Sequence, residues 1–323
     1  MLKRPIHVLE VRSELGAGTR GASLGIGAIK VASVNANSDY FFRYLPTAIP
    51  SENELLFIES PTRHAKYIDG VAKVYNSVME YVSSEFTYKS KFIVILAGDH
   101  STAGGTIAGI KRAFPKKRLG VVWIDAHADM HTPFTTPSGN IHGMPLAISM
   151  GIDNLERRRN QIDPHVETSW EVLKTIGNIC PKITPQELVF IGLRSVESEE
   201  DYLIKKHGIR NFTVREVREK GTHQIIEKIK EMLNHCDLLY VSFDVDSMDP
   251  DLVSRGTGTP VKDGLTVEEA SEFVCGLTAD PKTCCLEITE VNPTRDTENK
   301  MGKAAFSILD KATKFAEEKA KRN

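Results

Sequence analysis

Three apolar runs in this chain each stop at a carboxylate or an imidazole, and no other feature constrains its fold as tightly. Leu119–Ile124 (LGVVWI) leads into Asp125-Ala126-His127-Ala128-Asp129, residues 92–96 (FIVIL) lead into Ala97-Gly98-Asp99-His100, and residues 238–243 (LLYVSF) lead into Asp244-Val245-Asp246. A continuous apolar run of this kind reads as a strand buried on both faces, the pattern of a parallel sheet covered by helices. Open parallel sheets bind ligands at the carboxyl ends of their strands. Three strand ends carrying one chemistry therefore predict one shared site.

The rest of the chain fits an α/β fold with a mostly parallel central sheet. Ile6–Val11 reads as the first strand, and the glycines after it (Gly16, Gly18, Gly21, Gly25, Gly27) match no phosphate-binding fingerprint, so they form a loop entering a helix. Residues 65–86 repeat Ile68, Val71, Tyr75, Val78, Met79 and Val82 at helical spacing. With the strand at 92–96, a helix at 103–113 and the strand at Leu119–Ile124, this makes a βαβ unit. Residues 155–168 are polar, and Arg157-Arg158-Arg159 reads as a solvated face. A fourth buried strand at 188–193 delivers Arg194, Ser195, Val196 and Glu197. Helical patterns at 199–207 and 222–234 flank a short strand at 210–213. Thr266 and Glu269 form the capping box of a further helix, 284–288 is the last strand, and 303–319 is an amphipathic helix with a basic tail. No repeat or composition shift divides residues 1–323, so one domain is expected.

Net charge of −2 and a pI near 6.6 leave no electrostatic case for nucleic acid or an anionic membrane surface, which points to a small-molecule substrate. The five cysteines contain no CxxC pair and are odd in number, as expected of packing thiols in a reducing compartment. The first residues lack the apolar core of a secretory leader and no run is long enough to span a bilayer, so a cytoplasmic protein is expected.

Asp125, His127 and Asp129 occupy alternate positions, so an extended backbone would point all three to one side. With His100, Asp244 and Asp246 they make four carboxylates and two imidazoles without a thiolate, a set that suits Mn²⁺ better than a structural zinc. That is more than one catalytic ion with an open position can use. Two ions about 3.5 Å apart, sharing bridging carboxylates, would use them all and generate a bridging hydroxide at neutral pH. Metal-assisted hydrolysis is the chemistry expected. The turn-rich residues 134–145, with His142 among them, read as the rim of the pocket.

Gly98-Asp99-His100-Ser101, DAHADMHTP (125–133), TTPSGNIHG (135–143), VFIGLRSVE (189–197), SFDVDSMDP (242–250), GTGTP (256–260) and EVNP (290–293) resemble, in order, the signatures of the ureohydrolases, and among them most closely those of arginase. The resemblance runs through most of the chain. It implies a three-layer α/β/α fold and a binuclear Mn²⁺ centre, two ions per subunit. His100, Asp125, Asp129 and Asp244 would hold one ion, and Asp125, His127, Asp244 and Asp246 the other. It further implies that Glu290 receives a guanidinium group, that His142 shuttles protons, that Asp129 passes a proton to the leaving amine, and that Ser138 and Asn140 meet the substrate α-carboxylate. His131, Glu197 and Thr259 fall at substrate-binding positions of the same motifs. The activity implied is hydrolysis of L-arginine to L-ornithine and urea, in a homo-trimer or homo-hexamer.

The chain departs from arginases at three points. His131 stands where they typically have an Asn at the carboxylate-binding position. Glu197 stands where they have an Asp that contacts the α-amino group, with Ser195 replacing a nearby Asp. The segment between Pro250 and Thr257 is one residue longer. Another ureohydrolase acting on agmatine or a guanidino acid is the alternative these departures favour. A single-zinc amide deacylase would not need both His100 and Asp246, and an inactive metal-binding scaffold would not need His142 and Glu290.

Overall fold

The computed structural model describes residues 5–88 and 92–319. Its centre is one eight-stranded sheet made of β1 (Ile6–Val11), β2 (Thr47–Ile49), β3 (Phe92–Ala97), β4 (Leu119–Ile124), β5 (Leu188–Ile191), β6 (Arg210–Phe212), β7 (Leu238–Asp244) and β8 (Thr283–Thr289). The order across the sheet is β2-β1-β3-β8-β7-β4-β5-β6, and every neighbouring pair is parallel.

The helices are α1 (Gly25–Asn35), α2 (Tyr40–Arg43), α3 (Ile68–Tyr88), α4 (Thr102–Ala113), α5 (Pro145–Met150), α6 (Pro164–Thr175), α7 (Ser198–His207), α8 (Val214–Lys220), α9 (Thr222–Met232), α10 (Val267–Thr278) and α11 (Lys300–Lys319). They cover both faces of the sheet. Ile95, Trp123 and Phe190 pack against Val78 of α3, Ile107 of α4 and Trp170 of α6 in one core. Leu96, Ile124, Val241 and Ile288 pack against Ile29 of α1, Phe273 of α10 and Leu309 of α11 in the other. This is the expected α/β/α sandwich, and it explains the uninterrupted apolar strands: successive side chains alternate between two cores, neither of them wet.

Register positions the site. Leu96, Ile288, Phe243, Ile124 and Ile191 lie side by side in one row across β3, β8, β7, β4 and β5. One residue further on stand Asp125 and Asp244, so the two carboxylates emerge at the same level from adjacent strands. Outward of β3 lie β1 and β2, which precede it in the chain, and outward of β4 lie β5 and β6, which follow it. The later strands β7 and β8 fill the gap between them. The site therefore lies where the strand order reverses, the crevice in which α/β sheets bind ligands.

Some elements differ from expectation. The stretch 155–168 is not polar surface throughout: α6 begins at Pro164 and buries Val166, Trp170 and Leu173, whose helical spacing only emerges past residue 168. Its arginines do lie exposed, with Arg157 over the Tyr202 ring and Arg158 over Phe134. Cys180 is exposed, whereas Cys236, Cys275, Cys284 and Cys285 are buried. The basic tail after α11 lies outside the described residues. Among the described residues no helix is long and apolar enough to cross a membrane.

Candidate metal centre

Asp125 follows Trp123 by two residues and Asp244 follows Ser242 by two, so both carboxylates share the sheet face of Trp123 and Ser242. His100, in the turn after β3, stacks flat on Trp123 with ring centroids 4.0 Å apart. Its Nε2 lies 2.7 Å from Ser242 Oγ. With that nitrogen donating to the hydroxyl, Nδ1 keeps its lone pair, the tautomer a metal ligand needs. Nδ1 faces Asp125 Oδ2 at 3.0 Å, Asp129 Oδ2 at 3.1 Å and Asp244 Oδ2 at 3.2 Å.

A second group lies beside the first. His127 Nδ1 is 3.0 Å from Asp246 Oδ2 and 3.6 Å from Asp125 Oδ1. Asp125 thus turns one oxygen to each group. The groups are held by their own backbone: His127 N–H donates to Asp125 Oδ1 at 2.7 Å, Asp246 N–H to Asp244 Oδ1 at 2.8 Å, and Ala126 N–H to Asp246 Oδ1 at 3.2 Å.

The backbone route to this arrangement is not the uninterrupted extended edge expected. His127 forms an isolated parallel bridge with Ser195, and Asp129 sits in the left-handed region at φ 49°. That residue turns the chain toward α5, where Leu146 N–H donates to Asp129 O at 3.1 Å. An aspartate tolerates this conformation better than most side chains.

The electrostatics call for cations. Burial, reinforced by Asp125, pushes the Asp129 carboxyl up to about 6. Burial and neighbouring carboxylates also raise Asp244 and Asp246. Asp125 is held low despite its burial because His100 and His127 face it. His100 Nδ1 and Asp125 Oδ2 are buried without a hydrogen-bond partner, though they lie only 3.0 Å apart. Donor atoms about 3 Å apart with unused lone pairs are what adjacent ligands of an ion bound at about 2.1 Å look like. The thiolate-free donor set and these two orphaned atoms fit a pair of divalent cations.

A cavity of about 240 Å³ opens over the ligands. His142 lines it, and its Nδ1 is 2.9 Å from Glu290 Oε1, which also accepts from His100 N–H at 3.0 Å. Burial alone would lower the His142 pKa, but Glu290 raises it to about 9, and His142 in turn holds Glu290 low against its own burial. Glu290 does not line the cavity surface. It lies behind His142, 2% exposed, at φ 66°, with Oε2 free of protein hydrogen bonds. The glycine-rich loop after β1 closes this wall: Gly16 N–H donates to Asp99 Oδ2 at 2.8 Å, and a Cβ on Gly16 would fall 2.9 Å from the backbone nitrogen of His142.

The outer end of the cavity has two unlike sides. On one, Thr136, Ser138 and Asn140 present hydroxyl and amide groups, and Lys66 Nζ donates to Asn140 Oδ1 at 3.1 Å. On the other, His131 Nε2 faces Glu197 Oε2 at 3.3 Å and Glu200 Oε2 at 3.6 Å, while Nδ1 is 3.2 Å from Thr135 Oγ1. Both ring nitrogens of His131 thus have protein partners, and its imidazole lies against the acidic pair at the cavity wall. His131 holds Glu197 down at about 2, whereas burial lifts Glu200 to about 8. Thr259 lines the cavity and also donates to Asp246 Oδ2 at 2.9 Å.

The structure brings together all six expected ligands and places His131, Ser138, Asn140, His142, Glu197 and Thr259 around the same cavity. Glu200, Thr136, Lys66 and Ser242 were not expected. Glu200 had a signal: with Glu197 it occupies the N-cap and N3 positions of α7, and its side chain accepts from Glu197 N–H at 3.3 Å. Ser242 had one too, standing two residues before Asp244. Lys66, far away in the chain, had none.

The sequence model of the Arginase family matches residues 4–313. The arginase of Bacillus subtilis strain 168 is 32% identical over 315 residues, covering 96% of this chain and 97% of its own. Among solved structures, native arginase from Bacillus caldovelox superposes with a TM-score of 0.81 at 32% identity, covering 96% of this chain and 98% of its own. Entamoeba histolytica arginase in complex with L-ornithine superposes at 0.80 with 28% identity, covering 97% and 99%.

Proposed function

The chain belongs to the arginase family, and on that premise we propose that it hydrolyses the guanidinium group of L-arginine to L-ornithine and urea. The observation that carries this is Asp125, whose two oxygens face two separate ligand groups at the floor of one cavity. Two Mn²⁺ ions are the proposed cofactor, with His100, Asp125, Asp129 and Asp244 holding one and Asp125, His127, Asp244 and Asp246 the other. When bound, such cations lower the pKa of water toward neutrality and so supply hydroxide as the nucleophile.

A guanidinium carbon is a poor electrophile, and the protein's part is to fix it, balance its charge and move protons. Glu290 Oε2 is proposed to receive the planar cation in charge-assisted hydrogen bonds. The Glu290 carboxylate is already ionised by His142, so no proton need leave before the substrate binds. Asp129 Oδ1, the oxygen not turned toward His100, would take the proton of the nucleophile and pass it to the leaving amine. His142, protonated at neutral pH, is placed to exchange protons between the cavity and solvent. At the outer end, Ser138 and Asn140 would meet the α-carboxylate, and Glu197 and Glu200, with His131 between them, the α-ammonium. The ornithine complex of the Entamoeba relative supports an amino-acid product in this pocket.

A cytoplasmic homo-trimer or homo-hexamer is part of the same proposal, checked by light scattering. The activity is tested by urea release from arginine, agmatine and a panel of guanidino acids after Mn²⁺ loading. Arginine should be the preferred substrate. Urea from agmatine or a guanidino acid alone would overturn the substrate, and two bound ions with no urea from any guanidine would overturn the activity.

A further inference from the structure

On the premise of a two-ion centre, we propose that Arg194 is the positioning residue of one half of it: its guanidinium holds the Asp125–His127–Asp246 group together and leaves the His100–Asp125–Asp129 group to other supports. Arg194 follows β5. Its own N–H and that of Ser195 both donate to Ala126 O, at 3.0 and 2.9 Å, which pins this backbone to the residue between Asp125 and His127.

The side chain then spans three segments. Nε donates to Lys262 O at 2.8 Å, Nη1 to Gly192 O at 3.0 Å and Ser247 O at 3.2 Å, and Nη2 to Asp246 O at 2.8 Å and Val261 O at 2.7 Å. A guanidinium has five N–H donors. Each of them is taken here, and each by a main-chain carbonyl.

Arginine ordinarily finds a carboxylate, yet among the described residues the Arg194 side chain has no ion-pair partner within 4.0 Å in the salt bridges that the structure contains. Its donors are spent on loop geometry. The carbonyls come from the end of β5, from the turn that presents Asp246, and from the segment just after Thr259. Room is kept for the group, since a Cβ on Gly264 would fall 2.7 Å from Nη2. Because Thr259 Oγ1 donates to Asp246 Oδ2, the hold on that segment reaches the ligand oxygen itself.

The hold is one-sided. None of the five acceptors adjoins His100 or Asp129, which are fixed instead by Trp123, Ser242 and the turn into α5. Lysine could not substitute, because a compact ammonium with three donors cannot reach carbonyls arrayed around a planar fork.

The test uses metal-free wild type, Arg194→Lys and Arg194→Gln, titrated with Mn²⁺ and followed by equilibrium dialysis and electron paramagnetic resonance. Wild type should take up two ions per chain. Each variant should bind one ion as tightly as wild type and the other more weakly, roughly 10- to 100-fold as for lost outer-shell partners. At limiting metal the spin-coupled pair signal should give way to that of an isolated ion. Equal affinity for both ions in wild type and variants would overturn the assignment. So would equal weakening of both ions, or failure of both variants to fold, since Arg194 would then support the fold at large. A wild type that binds fewer than two ions would overturn the two-ion premise itself, and the assignment with it.

Discussion

Glu290→Gln separates charge from shape at the carboxylate behind His142. Glu290 Oε1 accepts from His142 Nδ1 at 2.9 Å and from His100 N–H at 3.0 Å. A glutamine can keep its carbonyl oxygen at that position and preserve both contacts as weaker, neutral bonds. Its NH₂ must then replace Oε2, the atom proposed to receive the guanidinium, and a donor faces a donor. The charge-assisted pairing lost in this buried site is about 2 to 4 kcal/mol. At 1.36 kcal/mol per tenfold in rate, kcat/KM for arginine should fall by roughly 30- to 900-fold. The fold and both ions should survive, because Glu290 donates no ligand to either group. The assay is urea release at several arginine concentrations, with metal content measured on the same preparation. Unchanged kinetics at full metal occupancy would refute the guanidinium role, and loss of metal would show that Glu290 serves His100 and not the substrate.

Ser242→Ala strips the 2.7 Å partner from a buried His100 Nε2, at a cost of about 1 to 3 kcal/mol, so Mn²⁺ titration should show the ion at His100 weakened roughly 10- to 100-fold. Unaltered affinity would mean that stacking on Trp123 alone orients the ring. Lys66→Met should raise the KM for arginine several-fold with little change in kcat, and leave agmatine, which has no carboxylate, unaffected; equal shifts for both would make Lys66 a packing element. Burial lifts Glu200 from 4.5 to about 8, so its contribution to stability is full below 4.5 and is lost as pH rises toward 8. Glu200→Gln should therefore flatten the fall in melting temperature of the metal-free protein across that window, and parallel profiles for variant and wild type would refute the assignment.

The buried strands were legible because their environment is uniform. A strand covered on both faces is mostly apolar, so β3, β4 and β5 stand out as continuous runs with sharp ends, while β7 and β8 are interrupted only by the buried, hydrogen-bonded Ser242 and Glu287. Edge strand β2 is three residues long and shows no such run. Helix α8 carries the same capping box as α10, Thr213 with Glu216 against Thr266 with Glu269, but its seven residues are too few for a periodic face to emerge. Parallel pairing across the whole sheet depends on where each crossover helix lies, which local pattern does not encode.

At the site, legibility tracked the distance over which a role is set. Asp125, His127, Asp244 and Asp246 owe their placement to strands whose register is fixed by neighbours of the same kind, so period and strand end suffice to find them. His131 shows the limit. Its place in the motif is plain, but its role depends on α7, some seventy residues later, which brings Glu197 and Glu200 against one imidazole nitrogen while Thr135 takes the other. An asparagine at this position could offer a neutral amide to a carboxylate. An imidazole held between Glu197 and Thr135 is instead committed to the protein, because turning it toward a substrate would strip the ionised Glu197 of its partner. His131 and Glu197 therefore work as one unit: the Glu197 side chain reaches the imidazole at 3.3 Å, and the pair forms the acidic side of the pocket from within.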